Sequence, residues 1–126
     1  MAALSGCESA PQRHPRSIQT VALSADRVSP DVAIDVVTAV ELVLPQGPQG
    51  SAGCAWEITS NNVRILEQMG PMRPAPAGDS LRAPMTSISF YALKQGRSVL
   101  RFVLVRPNET EAIPLAKCEV TVRVSD

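Results

Sequence analysis

Val40-Glu41-Leu42-Val43-Leu44, followed after a short break by Gln49-Gly50-Ser51-Ala52-Gly53-Cys54-Ala55-Trp56 and then Glu57-Ile58, reads as two apolar runs joined by a loop of small residues. The first run puts Val40, Leu42 and Leu44 on one face and Glu41 on the other, and in the second Cys54, Trp56 and Ile58 share a face. That period of two marks strands buried on one side. A loop with so little side-chain bulk, held between two core strands, leaves its backbone open to close approach by another molecule.

The same period continues outward in both directions. Residues 18–24 form a first strand and residues 32–44 one or two more. Residues 63–66 give a weak strand, and the Pro/Gly-rich stretch 70–78 reads as a long surface connection. Ile88, Phe90 and Ala92 then alternate with Ser87, Ser89 and Tyr91, and Gln95-Gly96 turns the chain into residues 98–105, where Leu100, Phe102 and Leu104 point inward. The last strand, 118–124, sets Cys118, Val120, Val122 and Val124 against Glu119, Thr121 and Arg123. Roughly seven or eight strands result, each with one buried face. Such strands close most naturally as two antiparallel sheets packed face to face, so the expected fold is all-β, an immunoglobulin-like antiparallel sandwich, with a closed barrel as the alternative. Trp56 fits the core anchor of such a sandwich, buried with its ring nitrogen in need of one partner.

Composition limits what the domain can do. The chain has 126 residues and 44% hydrophobic content, enough for one packed core. Twelve basic residues balance twelve acidic ones, and no Lys/Arg-rich run offers to neutralise a phosphate backbone, so no nucleic-acid partner is expected. The single histidine, His14, lies in a polar, proline-containing stretch before the first strand. A nucleophilic triad needs a histidine fixed by packing beside the nucleophile, which such a segment does not provide. The three cysteines are far apart, and neither Cys-x-x-Cys nor His-Glu-x-x-His occurs, so no metal site is expected. Nor is there a glycine loop for phosphate. The reading is a non-enzyme without cofactor.

Leu4-Ser5-Gly6-Cys7 resembles the lipobox of bacterial lipoproteins, in which the chain is cut before a cysteine that is then acylated. Residues 1–16 are accordingly read as the remnant of a lipoprotein signal and a flexible tether, and residues 17–126 as the sandwich domain. This predicts a periplasm-facing lipoprotein of the bacterial cell envelope, touching the membrane only through Cys7. If Cys7 is acylated, Cys54 and Cys118 remain as an even pair in an oxidising compartment, and a disulfide between them is open. Against it, the usual strand order sets their strands on either side of a third, ~9–10 Å apart.

With the loops placed, residues 30–124 resemble the chagasin family of protein inhibitors. The family's first loop, Asn-Pro-Thr-Thr-Gly-Tyr-x-Trp, falls on Gln49 through Trp56, with Gly53 and Trp56 retained. Its Phe-x-Phe-x-Ala strand appears as Ile88-Ser89-Phe90-Tyr91-Ala92, preceded at the second loop by Leu81-Arg82-Ala83-Pro84 in place of Gly-x-Gly-Gly. The third loop, Arg-Pro followed by an aromatic, appears as Arg106-Pro107-Asn108. The resemblance implies a monomeric inhibitor of papain-like cysteine peptidases. Gln49, Gly50, Ser51, Ala52 and Gly53 would enter the active-site cleft, while Leu81 to Pro84 and Arg106 to Asn108 grip its walls. Cys54 and Asn108 stand where the family has aromatic residues. With anchors typically worth about 2 kcal/mol each, their loss would weaken binding by about 4 kcal/mol, near a thousandfold. These departures also define a second reading: a non-inhibitory immunoglobulin-like lipoprotein module that binds an envelope partner or serves as scaffold.

Overall fold

The computed structural model describes residues 14–75, 81–107 and 113–126. Ten strands follow one another among the described residues: β1 (Ile18–Ala22), β2 (Arg27–Val28), β3 (Val32–Asp35), β4 (Ala39–Leu44), β5 (Ala55–Ser60), β6 (Leu66–Gln68), β7 (Arg73–Pro74), β8 (Thr86–Ala92), β9 (Gly96–Val105) and β10 (Ala116–Ser125). No helix forms among the described residues. One sheet has the order β1-β4-β8-β6, with β7 also on β8. The other has the order β2-β10-β9-β5, with β3 also on β10.

The inward positions read from the alternation meet between the two sheets. Val40 pairs with Phe90 and Leu42 with Ile88 in the first sheet. Phe102 stands between Ile58 and Cys118, and Leu104 between Trp56 and Ala116, in the second. All four members of the first-sheet pairs, and Leu100, Phe102 and Leu104, are buried to 1% exposure or less. Trp56 is buried too, and its indole Nε1 donates to the carbonyl of Pro45 at 3.1 Å, which supplies the polar partner a buried indole requires.

The sandwich is all-β and immunoglobulin-like, as the alternation implies, but its sheets are mixed rather than purely antiparallel. β1 runs parallel to β4, and β2 and β3 run parallel to β10. Alternation reports which face a side chain occupies and is identical for the two strand directions, so it carries no information on this point. Three further expectations shift. The strand expected at 63–66 begins only at Leu66, because Val63 and Arg64 lie in a turn closed by hydrogen bonds from the Ile65 and Leu66 amides to Asn62 O (both 3.0 Å). The connection expected at 70–78 contains β7, two residues paired with Ser87 and Thr86. The count rises to ten because residues 32–44 divide into β3 and β4, and because β2 and β7 have only two residues each, too few to give a periodic signal.

Both ends of the domain emerge at one pole. Arg16 N donates to Val37 O (2.8 Å) and Val36 N to Ser125 O (2.9 Å), so the entry and exit of the chain flank the turn between β3 and β4. In that turn Val37 holds a φ of 67°, unusual for a β-branched residue, braced by hydrogen bonds from its amide to Ala92 O and from Thr38 Oγ1 to Asp35 O.

Candidate functional site: the loop pole

At the opposite pole three connections come together, and strand register puts them there. Leu44, the last residue of β4, pairs with Thr86, the first of β8. Ala55, the first of β5, pairs with Val105, the last of β9. The loop joining β4 to β5 therefore leaves one sheet beside the loop entering β8 and enters the other beside the loop leaving β9.

The first loop is built from two turns that share a residue. Ser51 N bonds to Pro48 O (3.1 Å) and Cys54 N to Ser51 O (2.9 Å), closing turns over residues 48–51 and 51–54. Gly50 (φ 81°) and Gly53 (φ 85°) occupy the third position of each, while Gln49 and Ala52 are not in the positive-φ region, the signature of type II turns. Glycine is needed at both third positions for its freedom at positive φ. The tips Gln49-Gly50 and Ala52-Gly53 are exposed, whereas Ser51 between them has 0% exposure.

Ser51 joins this loop to the second. Its Oγ donates to Pro48 O at 2.6 Å and accepts from Ala83 N at 2.8 Å. Gly47 N donates to Ala83 O (2.9 Å), Gly50 N to Leu81 O (3.1 Å), and Arg82 Nε to Gly47 O (2.6 Å). Ala83 is 1% exposed. Gly47 is buried, and a Cβ on it would collide with Ser51 Oγ and come within 2.8 Å of Leu104 Cδ2 and 3.0 Å of the Ala83 methyl.

Two residues expected at the contact surface are thus interior: Ser51 and Ala83 hold the loops to each other, because a hydroxyl between two backbone groups has no solvent side left. Gln49, Gly50, Ala52, Gly53 and Leu81 face outward, and Arg82 and Pro84 are half-buried. Arg106 and Pro107 are exposed beside them, and Asn108 lies outside the described residues, as does Cys7. Gly47, Met85 and Ile113 were not legible as site residues in the sequence. Met85, next to Pro84, is 48% exposed, and Ile113, two residues before the Leu115 amide that bonds to Leu104 O, is 86% exposed; with Leu81 at 62% they give the pole an apolar rim. The Gly/Pro-dense run Pro45-Gln46-Gly47-Pro48 was the available signal for Gly47.

The disulfide considered between Cys54 and Cys118 is not formed: both thiols are free and buried. β9 lies between β5 and β10, and Cys54 precedes the partner of Val105 whereas Cys118 pairs with Phe102. The two are thus separated by ~10 Å across the sheet and by a further ~10 Å or more along it, well beyond the ~7 Å limit for a bridge. Cys118 instead donates to Ser24 O at 3.3 Å. Burial, with a smaller contribution from the Asp26 carboxylate, pushes its thiol up from 9.0 to about 11. Folding therefore favours the protonated thiol. Its contribution to stability is full below about pH 9 and is lost as pH rises toward 11. The urea midpoint is expected to fall across that window, and to fall less in Cys118→Ala; equal slopes in the two proteins would contradict the assignment.

No group of His, Cys, Asp and Glu that could hold a metal ion occurs among the described residues. A cleft of about 600 Å³ lies on the second sheet, lined by residues that include Arg27, Thr59, Arg101, Lys117 and Glu119, away from the loop pole.

No family model matches the sequence, and no curated protein matches it. Solved structures do. The cysteine protease inhibitor EhICP2 from Entamoeba histolytica aligns with a TM-score of 0.64 and 17% identity over 89% of this chain and 100% of its own. The solution structure of amebosin aligns with a TM-score of 0.55 and 16% identity, again over 89% and 100%. PbICP-C, solved in complex with falcipain-2, aligns with a TM-score of 0.54 and 12% identity over 85% of this chain and 99% of its own. Each likeness runs over nearly the whole domain, so this chain shares the β-sandwich fold of those three structures.

Proposed function

We propose that the domain is a protein inhibitor of papain-like cysteine peptidases and that its loop pole occludes the active-site cleft. The observation that carries this reading is the interlock of the first two loops through Ser51 and Gly47, which holds the two turn tips as one preformed projection on a fold shared with cysteine protease inhibitors. A preformed projection loses little conformational entropy on binding. The tips Gln49-Gly50 and Ala52-Gly53 are narrow enough to bring backbone close to a thiolate, and a turn does not offer its peptide bonds in the aligned geometry that attack requires. Occlusion of this kind needs no covalent step. Leu81, Met85 and Ile113 would supply apolar contact at the walls in place of the family's aromatic residues, over a standard interface of about 800 Å² per partner.

A titration of papain activity tests the reading. Nanomolar to micromolar inhibition is expected, whereas none up to about 100 µM, with a folded domain, overturns it. The burial of Ser51 and Ala83 favours a second reading, since two residues of the family's contact loops are here spent on internal bonds. In that reading the domain is a non-inhibitory module that binds an envelope partner or acts as scaffold. Either way, we assign residues 1–16 to the remnant of a lipoprotein signal, removed before Cys7, and a flexible tether that begins at the acylated Cys7, on a bacterial envelope facing the periplasm. The chain enters the domain at the pole opposite the loops, which suits outward display of them. Mass spectrometry of the protein from its native membrane, looking for acyl chains on Cys7, tests the tether.

A further inference from the structure

The two sheets have four edges, and three carry features that block further pairing. On the first sheet, the edge formed by β6 and β7 is broken into pieces of three and two residues, one of them containing Pro74. On the second, the edge formed by β2 and β3 is interrupted at Ser29-Pro30-Asp31 and bears Arg27 and Asp35, while β5 carries Glu57 and a register shift between Ile58 and Ser60. Short strands, charges, prolines and bulges are the devices by which folded proteins keep sheet edges from associating. β1 has none of them. Ile18-Gln19-Thr20-Val21-Ala22 is uncharged, free of proline and glycine, regular in its pairing to β4, and solvent-facing along most of its length, with Ile18 61% exposed.

We propose that β1 is the edge through which two copies of this chain associate. The hydrogen bonds flanking the strand set its phase: Ala39 N donates to Ser17 O and Leu23 N to Val43 O, so the odd-numbered residues turn their backbone groups toward β4. In a regular parallel ladder the even-numbered residues Ile18, Thr20 and Ala22 then direct N–H and C=O to the free edge. Two-fold symmetry admits only an antiparallel pairing of this edge with itself, because a parallel ladder uses the two strands in non-equivalent ways. Centred on Thr20, such a pairing sets Thr20 opposite its own copy and Ile18 opposite Ala22, and each of these pairs exchanges two backbone hydrogen bonds. A second copy is the fitting occupant. The segment is self-complementary in length and phase, and it carries no charge to repel its image. The Glu41 carboxylates, to which Thr20 Oγ1 donates at 3.1 Å, stay separated by the two β1 strands. The contact is smaller than a standard interface, so a weak and reversible dimer is expected. Both loop poles remain open and point in opposite directions, in contrast to the monomer implied by the family resemblance.

Sedimentation equilibrium of the full chain from about 10 µM to 1 mM should show the average mass rising from 13.4 kDa toward twice that value. Thr20→Lys, which places like charges face to face at the two-fold axis, should return the protein to a monomer with unchanged thermal denaturation. Thr20→Pro, which removes a free-edge N–H and no bond to β4, should do the same, and amide exchange at Thr20 should slow with concentration only in the parent chain. A monomer at every concentration overturns the proposal, as does a dimer that survives Thr20→Lys or a ladder of larger species. None of these measurements depends on peptidase inhibition.

Discussion

Replacing Gly47 by alanine is expected to cost the domain about 3 kcal/mol and to lower its melting temperature by roughly 10 °C. The added Cβ would meet Ser51 Oγ, Leu104 Cδ2 and the Ala83 methyl at once. None of the three can give way cheaply. Ser51 Oγ is fixed by two hydrogen bonds, Leu104 is a fully buried residue of β9 between Trp56 and Ala116, and Ala83 is tied to Gly47 itself through its carbonyl. Overpacking a closed site costs about 1–3 kcal/mol, and a displaced Ser51 adds the loss of its bonds. Gly50→Ala and Gly53→Ala are the controls: a Cβ at either meets nothing within 4 Å, so only the strain of a positive φ remains, about 1–2 kcal/mol. Urea unfolding followed by Trp56 fluorescence would rank the three. A cost for Gly47→Ala below that of both controls would mean that the first two loops are not packed against each other as described.

Which parts of this architecture could be read beforehand follows from how local each determinant is. The faces of β4, β8, β9 and β10 were legible because alternation is a property of the strand itself, and Val40, Ile88, Phe102 and Val120 lie inward as their phase demands. Trp56 was legible as a core anchor, although nothing local revealed that its indole would reach Pro45 O, eleven residues away. Strand direction was not legible, since parallel pairing of β1 with β4 leaves the same pattern of faces as antiparallel pairing would. The loop pole was legible as segments and not as an object. Ser51 looks like a small polar loop residue, and its burial depends on Ala83, thirty-two positions on, bringing an amide that needs an acceptor. Gly47 is similar: its backbone has no positive φ, and glycine is required there only because the side chains of Ser51, Ala83 and Leu104, the last two distant in sequence, converge on the position.

The sharpest separation of scaffold from contact surface is expected from two adjacent residues, Ser51 and Ala52. Ser51→Ala removes the acceptor of the Ala83 amide and the donor to Pro48 O in a site with no access to water. A buried N–H without a partner costs about 1–3 kcal/mol and a lost hydrogen bond about 1 kcal/mol more, so a loss near 3 kcal/mol of stability is expected. Inhibition of papain should weaken as well, by about tenfold for each 1.4 kcal/mol of loop ordering transferred to the binding step. Ala52→Arg should behave in the opposite way. Its side chain leaves an exposed turn tip, so stability should stay within about 0.5 kcal/mol, while a long charged group on the leading tip should reduce inhibition by about a hundredfold or more. A double-mutant cycle completes the test. Because Ser51→Ala removes the oxygen that a Cβ at Gly47 would strike, Gly47→Ala combined with Ser51→Ala should be less damaging than the sum of the two by about 1 kcal/mol or more. Thermal denaturation and inhibition constants for the four proteins of the cycle and for Ala52→Arg decide the matter. Additive stabilities, or an Ala52→Arg protein that inhibits as well as its parent, would remove Ser51 as the pin and the second turn as the inserting tip.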